Sequence, residues 1–247
     1  DHIGGIPYLI EKIGNPPIYA REFGALMIKA KAEDFPGLKM NIKIVEKDDG
    51  SLPICPDIKV RFYGQTHSIP DSTGVILETK FGDVVFSGDV RVENHDGTPL
   101  QKEIDQYKIF KDRNVLLMAI DSTGITNPGW SSSESEVIAN IDKIIKNAPG
   151  RLIVGTFASQ TERIIEFINS ATRYGKYVVV DGRSMKTNVG IAQQLNLTDF
   201  KNVINVEDMN DYPPHKIVMI ATGSQGEEFA ALMRMANGTH KQIKLSP

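Results

Sequence analysis

The chain has 247 residues, 40% hydrophobic and 24% charged, a globular composition with length for one large domain or two smaller ones. A formal net charge of −3 and a pI near 6.0 exclude a global basic field, so any nucleic-acid binding must come from local patches. The single cysteine, Cys55, excludes an intrachain disulfide and a multi-cysteine zinc knuckle. No apolar run approaches the ~18 residues of a membrane span and no charged-then-apolar leader opens the chain, so the sequence reads as soluble and cytoplasmic.

Gly4 to Ile13 opens with glycines, places Pro7 in a first turn and spaces Ile6, Leu9, Ile10 and Ile13 on one helical face, which predicts a short helix. Ile18-Tyr19 predicts a brief strand and Arg21 to Ala32 a second helix. From Met40 to Phe86 the pattern is that of a strand meander, with runs at 42–45, 58–62, 74–79 and 83–86, each bounded by Gly, Pro or Asp. The apolar run from Asn114 to Ile120 predicts a strand covered on both faces that delivers Asp121-Ser122-Thr123 at its end.

After Trp130 the period changes. Ser131-Ser132-Ser133-Glu134 offers a capping sequence, and Val137, Ile138, Ile141, Ile144 and Ile145 continue as an amphipathic helix. Strands at 151–156, 177–180 and 216–222 then alternate with helices near 161–174, 188–195 and 227–235, the βαβα pattern of a parallel sheet. A domain boundary is expected near residues 130 to 136, giving parts 1–135 and 136–247. Lys241 to Pro247 reads as a strand interrupted in mid-course, and with Asp rather than Met at position 1 both ends read as cut.

Three stretches of the first part carry the residue types of a metal centre. Asp1-His2-Ile3-Gly4-Gly5 sets a carboxylate beside an imidazole at a helix start. Gln65 to Ser72 sets His67 in a polar loop, and Phe86-Ser87-Gly88-Asp89 sets a carboxylate after the last hairpin. Carboxylate oxygen and imidazole nitrogen are the ligands of catalytic zinc or manganese sites. Each stretch has a plainer reading: a helix cap, a solvated histidine, a turn aspartate. His95, His215 and His240 read as surface residues. In the second part, loops at Ala158-Ser159-Gln160-Thr161, Gly182-Arg183-Ser184-Met185 and Gly223-Ser224-Gln225-Gly226 follow predicted strands, where open α/β sheets bind ligands. Their Gly and Ser residues either admit phosphates to helix N-termini or merely turn the chain.

The order of these stretches resembles the ribonuclease J family, within the metallo-β-lactamase and β-CASP group, over nearly the whole chain. Asp1-His2-Ile3-Gly4-Gly5-Ile6-Pro7-Tyr8-Leu9 is similar to the second half of its His-x-His-x-Asp-His signature and continuation. Thr66-His67-Ser68-Ile69-Pro70-Asp71-Ser72 and Ser87-Gly88-Asp89 are similar to its next metal motifs. Asp121-Ser122-Thr123, Thr156-Phe157-Ala158-Ser159, Gly182-Arg183-Ser184-Met185, Thr222 to Glu227 and Arg234 to Gly238 follow in the family's order.

The resemblance implies an α/β chain: a partial metallo-β-lactamase αββα sandwich, then a β-CASP domain with a mainly parallel sheet. It implies a ribonuclease with two divalent metal ions, zinc first, manganese or magnesium otherwise. Asp1 and His2 would serve one metal, His67 the other, Asp89 both, and Asp121 would orient a ligand histidine. Asp1, Asp89 and Asp121 are thus the expected catalytic carboxylates, and Arg183, Ser184, Ser224 and Gln225 the expected RNA contacts. The implied reaction is hydrolysis of RNA from a 5′-monophosphate end and internally, by a homodimeric or homotetrameric parent protein. A first His-x-His pair and later histidine blocks lie outside this sequence, so the 247 residues alone are expected to be weakly active or inactive. A DNA-directed β-CASP nuclease and a non-catalytic RNA-binding paralogue are the competing readings. The second-part motifs argue against a small-ester hydrolase.

Overall fold

Alternating apolar and polar residues build a sheet in the first half of the chain, and continuous apolar strands with amphipathic helices build a layered unit in the second. The computed structural model describes residues 2–46 and 50–244. The chain divides into two compact units, Asp1–Ser133 and Glu134–Pro247.

The first unit runs α1 (Ile6–Leu9), β1 (Ile18–Ala20), α2 (Glu22–Ala32), β2 (Ile42–Ile44), β3 (Leu52–Cys55), β4 (Ile58–Gly64), β5 (Thr73–Thr79), β6 (Gly82–Phe86), β7 (Asn94–His95), β8 (Thr98–Pro99), α3 (Gln101–Tyr107) and β9 (Val115–Ala119). Its main sheet has the order β3-β4-β5-β6-β9, antiparallel except where β9 joins β6 in parallel. Ile76, Val85 and Tyr63 form its buried centre, with Tyr107, Ile109, Phe110 and Val115 packed on them. β2 is not part of the meander, because its backbone pairs in parallel with β1 in a separate two-stranded sheet. The meander instead begins at β3, a strand too short and too proline-interrupted to show in the alternation. Of the predicted face Ile6, Leu9, Ile10 and Ile13 only Ile10 is buried, since α1 ends after one turn. The strand expected to be covered on both faces, β9, is an edge strand with a partner on one side; Leu116, Leu117, Met118 and Ile120 are exposed.

The second unit runs α4 (Glu134–Asn147), β10 (Leu152–Gly155), α5 (Thr161–Arg173), β11 (Tyr177–Asp181), α6 (Arg183–Gln194), β12 (Val203–Ile204), β13 (Ile217–Ala221) and α7 (Ala231–Ala236). Its sheet has the order β10-β13-β11-β12 and every pairing is parallel, as βαβα alternation dictates. Alternate residues of the central strands feed two cores. Val178, Val180, Val218 and Ile220 meet Ile145 of α4, Ile164, Phe167 and Ile168 of α5 and Met185 of α6. Val179, Ile217, Met219 and Ala221 meet Met209, Ala231, Met235 and Ile243. At roughly 1.5–3 kcal/mol for each large side chain taken out of water, β13 alone anchors both layers.

Two helices depart from their predicted bounds. α6 begins at Arg183, five residues before the apolar spacing shows it, so Arg183 and Ser184 belong to a first helical turn. α7 begins at Ala231, because Glu227 is used by a turn, accepting the Gln225 N–H and, at its carbonyl, the Ala230 N–H. The described part of the predicted last strand, Lys241 to Lys244, is not a strand. Its backbone N–H groups at Gln242 and Ile243 turn in to the His240 ring, and residues 245–247 lie outside the described region. Among the described residues no helix is long and apolar enough to cross a membrane.

Candidate metal centre

Strand direction places the site. β4, β6 and β9 run parallel to one another in the main sheet, so the chain leaves all three at the same edge. Gln65 and His67 follow β4, Asp89 follows β6 and Asp121 follows β9. The loop after β4 is closed by the Gln65 N–H donating to the Ser72 carbonyl at 3.0 Å, which fixes where His67 leaves the sheet.

The turn carrying Asp89 is braced from the segments that follow β4 and β9. The buried Gln65 side chain donates through Nε2 to the Ser87 carbonyl and, at 2.8 Å, to the Asp89 carbonyl. From the other side the Asp121 N–H donates to Ser87 Oγ at 3.0 Å, and Asp121 Oδ2 accepts the Val90 N–H at 3.2 Å. The other oxygen, Oδ1, accepts the Thr123 N–H at 2.8 Å. The Thr123 backbone and hydroxyl, then the Val90 N–H, hold the Asp121 carboxyl below its ordinary pKa, so it is a carboxylate at neutral pH. Backbone carbonyls and N–H groups are thus spent on holding the turn, and the Asp89 side chain stays part-exposed.

Asp89 Oδ2 lies 2.9 Å from Nε2 of the exposed His2. His67 is half-buried. Burial pushes its pKa down, and the Arg91 charge adds to that, against the pull of Asp89 and Asp121 upward. The net direction favours the neutral imidazole, the form that binds metals. His2, His67 and Asp89 share a cavity of about 330 Å³ with Gln65, Asp71 and Arg21. Its far wall is set by Asp71, whose Oδ2 accepts the Phe23 N–H at 2.7 Å and caps α2 from outside the helix.

His2 and Asp89 are therefore brought together, with His67 on the same cavity and Asp121 behind the turn. Asp1 lies outside the described residues. Two imidazoles and a carboxylate on an open cavity are the donor chemistry of a borderline divalent cation. Among the described residues, no group of three His, Cys, Asp or Glu converges closely enough to hold a metal ion by itself.

The second unit places Arg183 and Ser184, both exposed, in the first turn of α6, and Ser224 and Gln225, also exposed, in the loop after β13. Both positions follow parallel strands at their carboxyl ends. Sequence reasoning missed Gln65, which carries no charge and sat unremarked inside a quoted motif. It also misplaced His240, which is buried. His240 Nε2 lies 2.8 Å from Asp181 Oδ2, while its Nδ1 accepts the Gln242 and Ile243 N–H groups. No spacing rule joins residues 59 apart, so nothing in the sequence marked that pair.

Comparison with known proteins agrees with this layout. The family description "Metallo-beta-lactamase superfamily" matches residues 1–123, and "Ribonuclease J, beta-CASP domain" matches residues 149–247. Ribonuclease J of Mycoplasma genitalium is 40% identical over 249 residues, spanning 99% of this chain and 43% of that protein. Ribonuclease J of Thermus thermophilus is 34% identical across 100% of this chain and 44% of its own length. Ribonuclease J2 of Bacillus subtilis is 31% identical across 99% of this chain and 44% of its own. The chain thus spans less than half the length of these relatives. A crystal structure of a protein of unknown function from Enterococcus faecalis V583 superposes with a TM-score of 0.61 at 12% identity, covering 85% of this chain and 54% of that one, a likeness of fold. Two successive domain matches and relatives aligned along nearly all of this chain place it in the ribonuclease J family of the metallo-beta-lactamase superfamily, a family that implies divalent metal ions.

Proposed function

We propose that this chain is the part of a metal-dependent ribonuclease that presents its cations and grips its RNA. The parent protein would hydrolyse phosphodiester bonds from a 5′-monophosphate end and internally, in RNA processing and decay. The observation that carries the reading is the Asp89 turn. It is held by Gln65 and Asp121 while its carboxylate meets the His2 imidazole at 2.9 Å on an open cavity that His67 also lines.

His2, His67 and Asp89, with Asp1, would hold two divalent cations, zinc by donor preference, with manganese or magnesium as substitutes. Such a pair, when bound, supplies a hydroxide-like nucleophile near neutral pH and neutralises charge on the phosphate. The chain's own residues do the positioning. Gln65 fixes the Asp89 backbone, and Asp121 fixes Val90 behind it. In the second unit, Arg183 and Ser184 on the first turn of α6 and Ser224 and Gln225 after β13 would take RNA phosphates through a guanidinium, hydroxyls and helix N–H groups. We place the parent protein in the cytoplasm as a homodimer or homotetramer.

The test is digestion of a short labelled RNA bearing a 5′-monophosphate or a 5′-triphosphate by the parent protein, with and without chelator, beside Asp89→Ala. Metal-dependent loss of the monophosphorylated RNA that disappears in Asp89→Ala is the expected result. No cleavage of either RNA by the metal-loaded protein sinks the reading and favours a DNA-directed or non-catalytic one.

A further inference from the structure

Two phenylalanine rings stand exposed at one edge of the second unit: Phe157, 41% exposed, just past β10, and Phe229, 83% exposed, in the loop after β13. Each forgoes the stabilisation a buried ring would bring. β10 and β13 are adjacent parallel strands, paired as far as Gly155 opposite Ala221, and the Thr156 N–H extends that ladder to the Ala221 carbonyl at 3.1 Å. Both rings therefore follow the carboxyl ends of neighbouring strands.

The loops that carry them are fixed. A Cβ on Gly155 would stand 2.7 Å from Leu232 Cδ1 and 3.8 Å from the Cα of Ser224, so the loop after β13 crosses directly over the end of β10. The Ala158 carbonyl, next to Phe157, accepts a 2.7 Å hydrogen bond from the buried Asn188 of α6. The Phe229 loop is closed by the Gly226 N–H on the Gly223 carbonyl at 3.1 Å and the Ala230 N–H on the Glu227 carbonyl at 2.9 Å. Neither ring is on a loose segment that could fold it back onto the core.

We propose that Phe157 and Phe229 stack the bases of single-stranded RNA, so that the rim takes bases as well as phosphates. The proposal rests on the ribonuclease reading above. Aromatic faces beside hydroxyl, backbone N–H and guanidinium groups are what an unstacked single strand uses, bases on the rings and phosphates on the polar groups. Ser224 and Gln225 lie on the same loop as Phe229, and Arg183 heads the helix whose Asn188 holds the Phe157 loop.

The test measures binding of the parent protein, in chelator, to a labelled 12-mer of oligoadenylate and to an abasic ribose-phosphate strand of the same length. Phe157→Ala with Phe229→Ala should weaken oligoadenylate binding by roughly tenfold or more and move the abasic strand by less than about twofold. Replacing both rings by Trp should preserve oligoadenylate binding. Unchanged oligoadenylate affinity in the alanine variant overturns the stacking role, as does an equal loss on both strands with an unchanged melting curve; either leaves the nuclease reading standing. Failure of the wild-type parent protein to bind either strand overturns both.

Discussion

Replacing Glu78 by Gln should destabilise the first unit by about 3 kcal/mol at pH 7 and far less in acid. Glu78 sits near the end of β5 away from the metal centre, opposite Lys59 of β4 and Asp83 of β6. Its Oε1 accepts Arg61 Nε at 2.8 Å and Arg113 Nη1 at 3.1 Å, and Ser51 Oγ donates to its other oxygen. Arg113 also reaches Asp83 at 2.9 Å and the Ile109 carbonyl at 2.9 Å, so one carboxylate ties three strands to the approach to β9. Burial alone would raise the Glu78 pKa, but the Arg61, Ser51 and Arg113 hydrogen bonds outweigh it and bring it from 4.5 down to about 2. A depressed carboxylate contributes stability above its unfolded pKa and loses it as pH falls through the folded one. The gap of about 2.5 units is worth about 3 kcal/mol at pH 7 and still most of that at pH 4.5, and it shrinks to roughly 1 kcal/mol by pH 3. Urea unfolding of wild type and Glu78→Gln at pH 7 and pH 3 measures it. The single tryptophan, Trp130, belongs to the first unit and reports its transition. A difference that is the same at both pH values, or absent at pH 7, would refute the reasoning.

Gln65→Leu keeps the volume but leaves the Ser87 and Asp89 carbonyls without their donor. It should cost about 1–3 kcal/mol and weaken metal binding. Zinc titration of the parent protein checks this, and an unchanged dissociation constant would reduce Gln65 to a structural residue. His240→Ala removes one of the partners of Asp181, which keeps Lys186 and Arg234, and the acceptor of two backbone N–H groups, and should lower the stability of the second unit by about 1–3 kcal/mol. Amide hydrogen exchange at Gln242 and Ile243 should accelerate with it. Protection equal to wild type would show that this segment is held by other contacts.

The second unit was the more legible of the two, for a physical reason. Parallel strands buried on both faces are written as continuous apolar runs, and Ile217 to Ala221 is one. Strand and helix order then fixes the architecture with little freedom. The first unit misled where pairing is set by partners outside the run. Ile42 to Ile44 has a strand's alternation but pairs with β1 outside the meander, and Asn114 to Ile120 has an interior strand's composition but lies at an edge. The candidate ligands His2, His67 and Asp89 were legible because metal chemistry restricts residue type. Gln65 and the Asp181–His240 pair were not, since a neutral amide or a buried hydrogen-bonded pair is recognised only by what it touches.

The dependence of the site on strand direction is the least visible of these links. One antiparallel strand, β5, separates β4 from β6, so the two run the same way and their exits share an edge. β9 reaches the same edge because it joins β6 in parallel, across the connection that holds α3. That adjacency lets the Ser87 N–H reach the Ala119 carbonyl at 2.9 Å, and lets Asp121 take the Val90 N–H just beyond. Had β9 paired in the opposite sense, Asp121 would leave the sheet at the far end, some five residues and about 17 Å away, and Val90 would have no brace. The apolar run that precedes Asp121, though largely exposed, therefore serves the candidate metal centre through its direction. Substitutions that loosen β9 from β6 should act on metal affinity before they act on the fold.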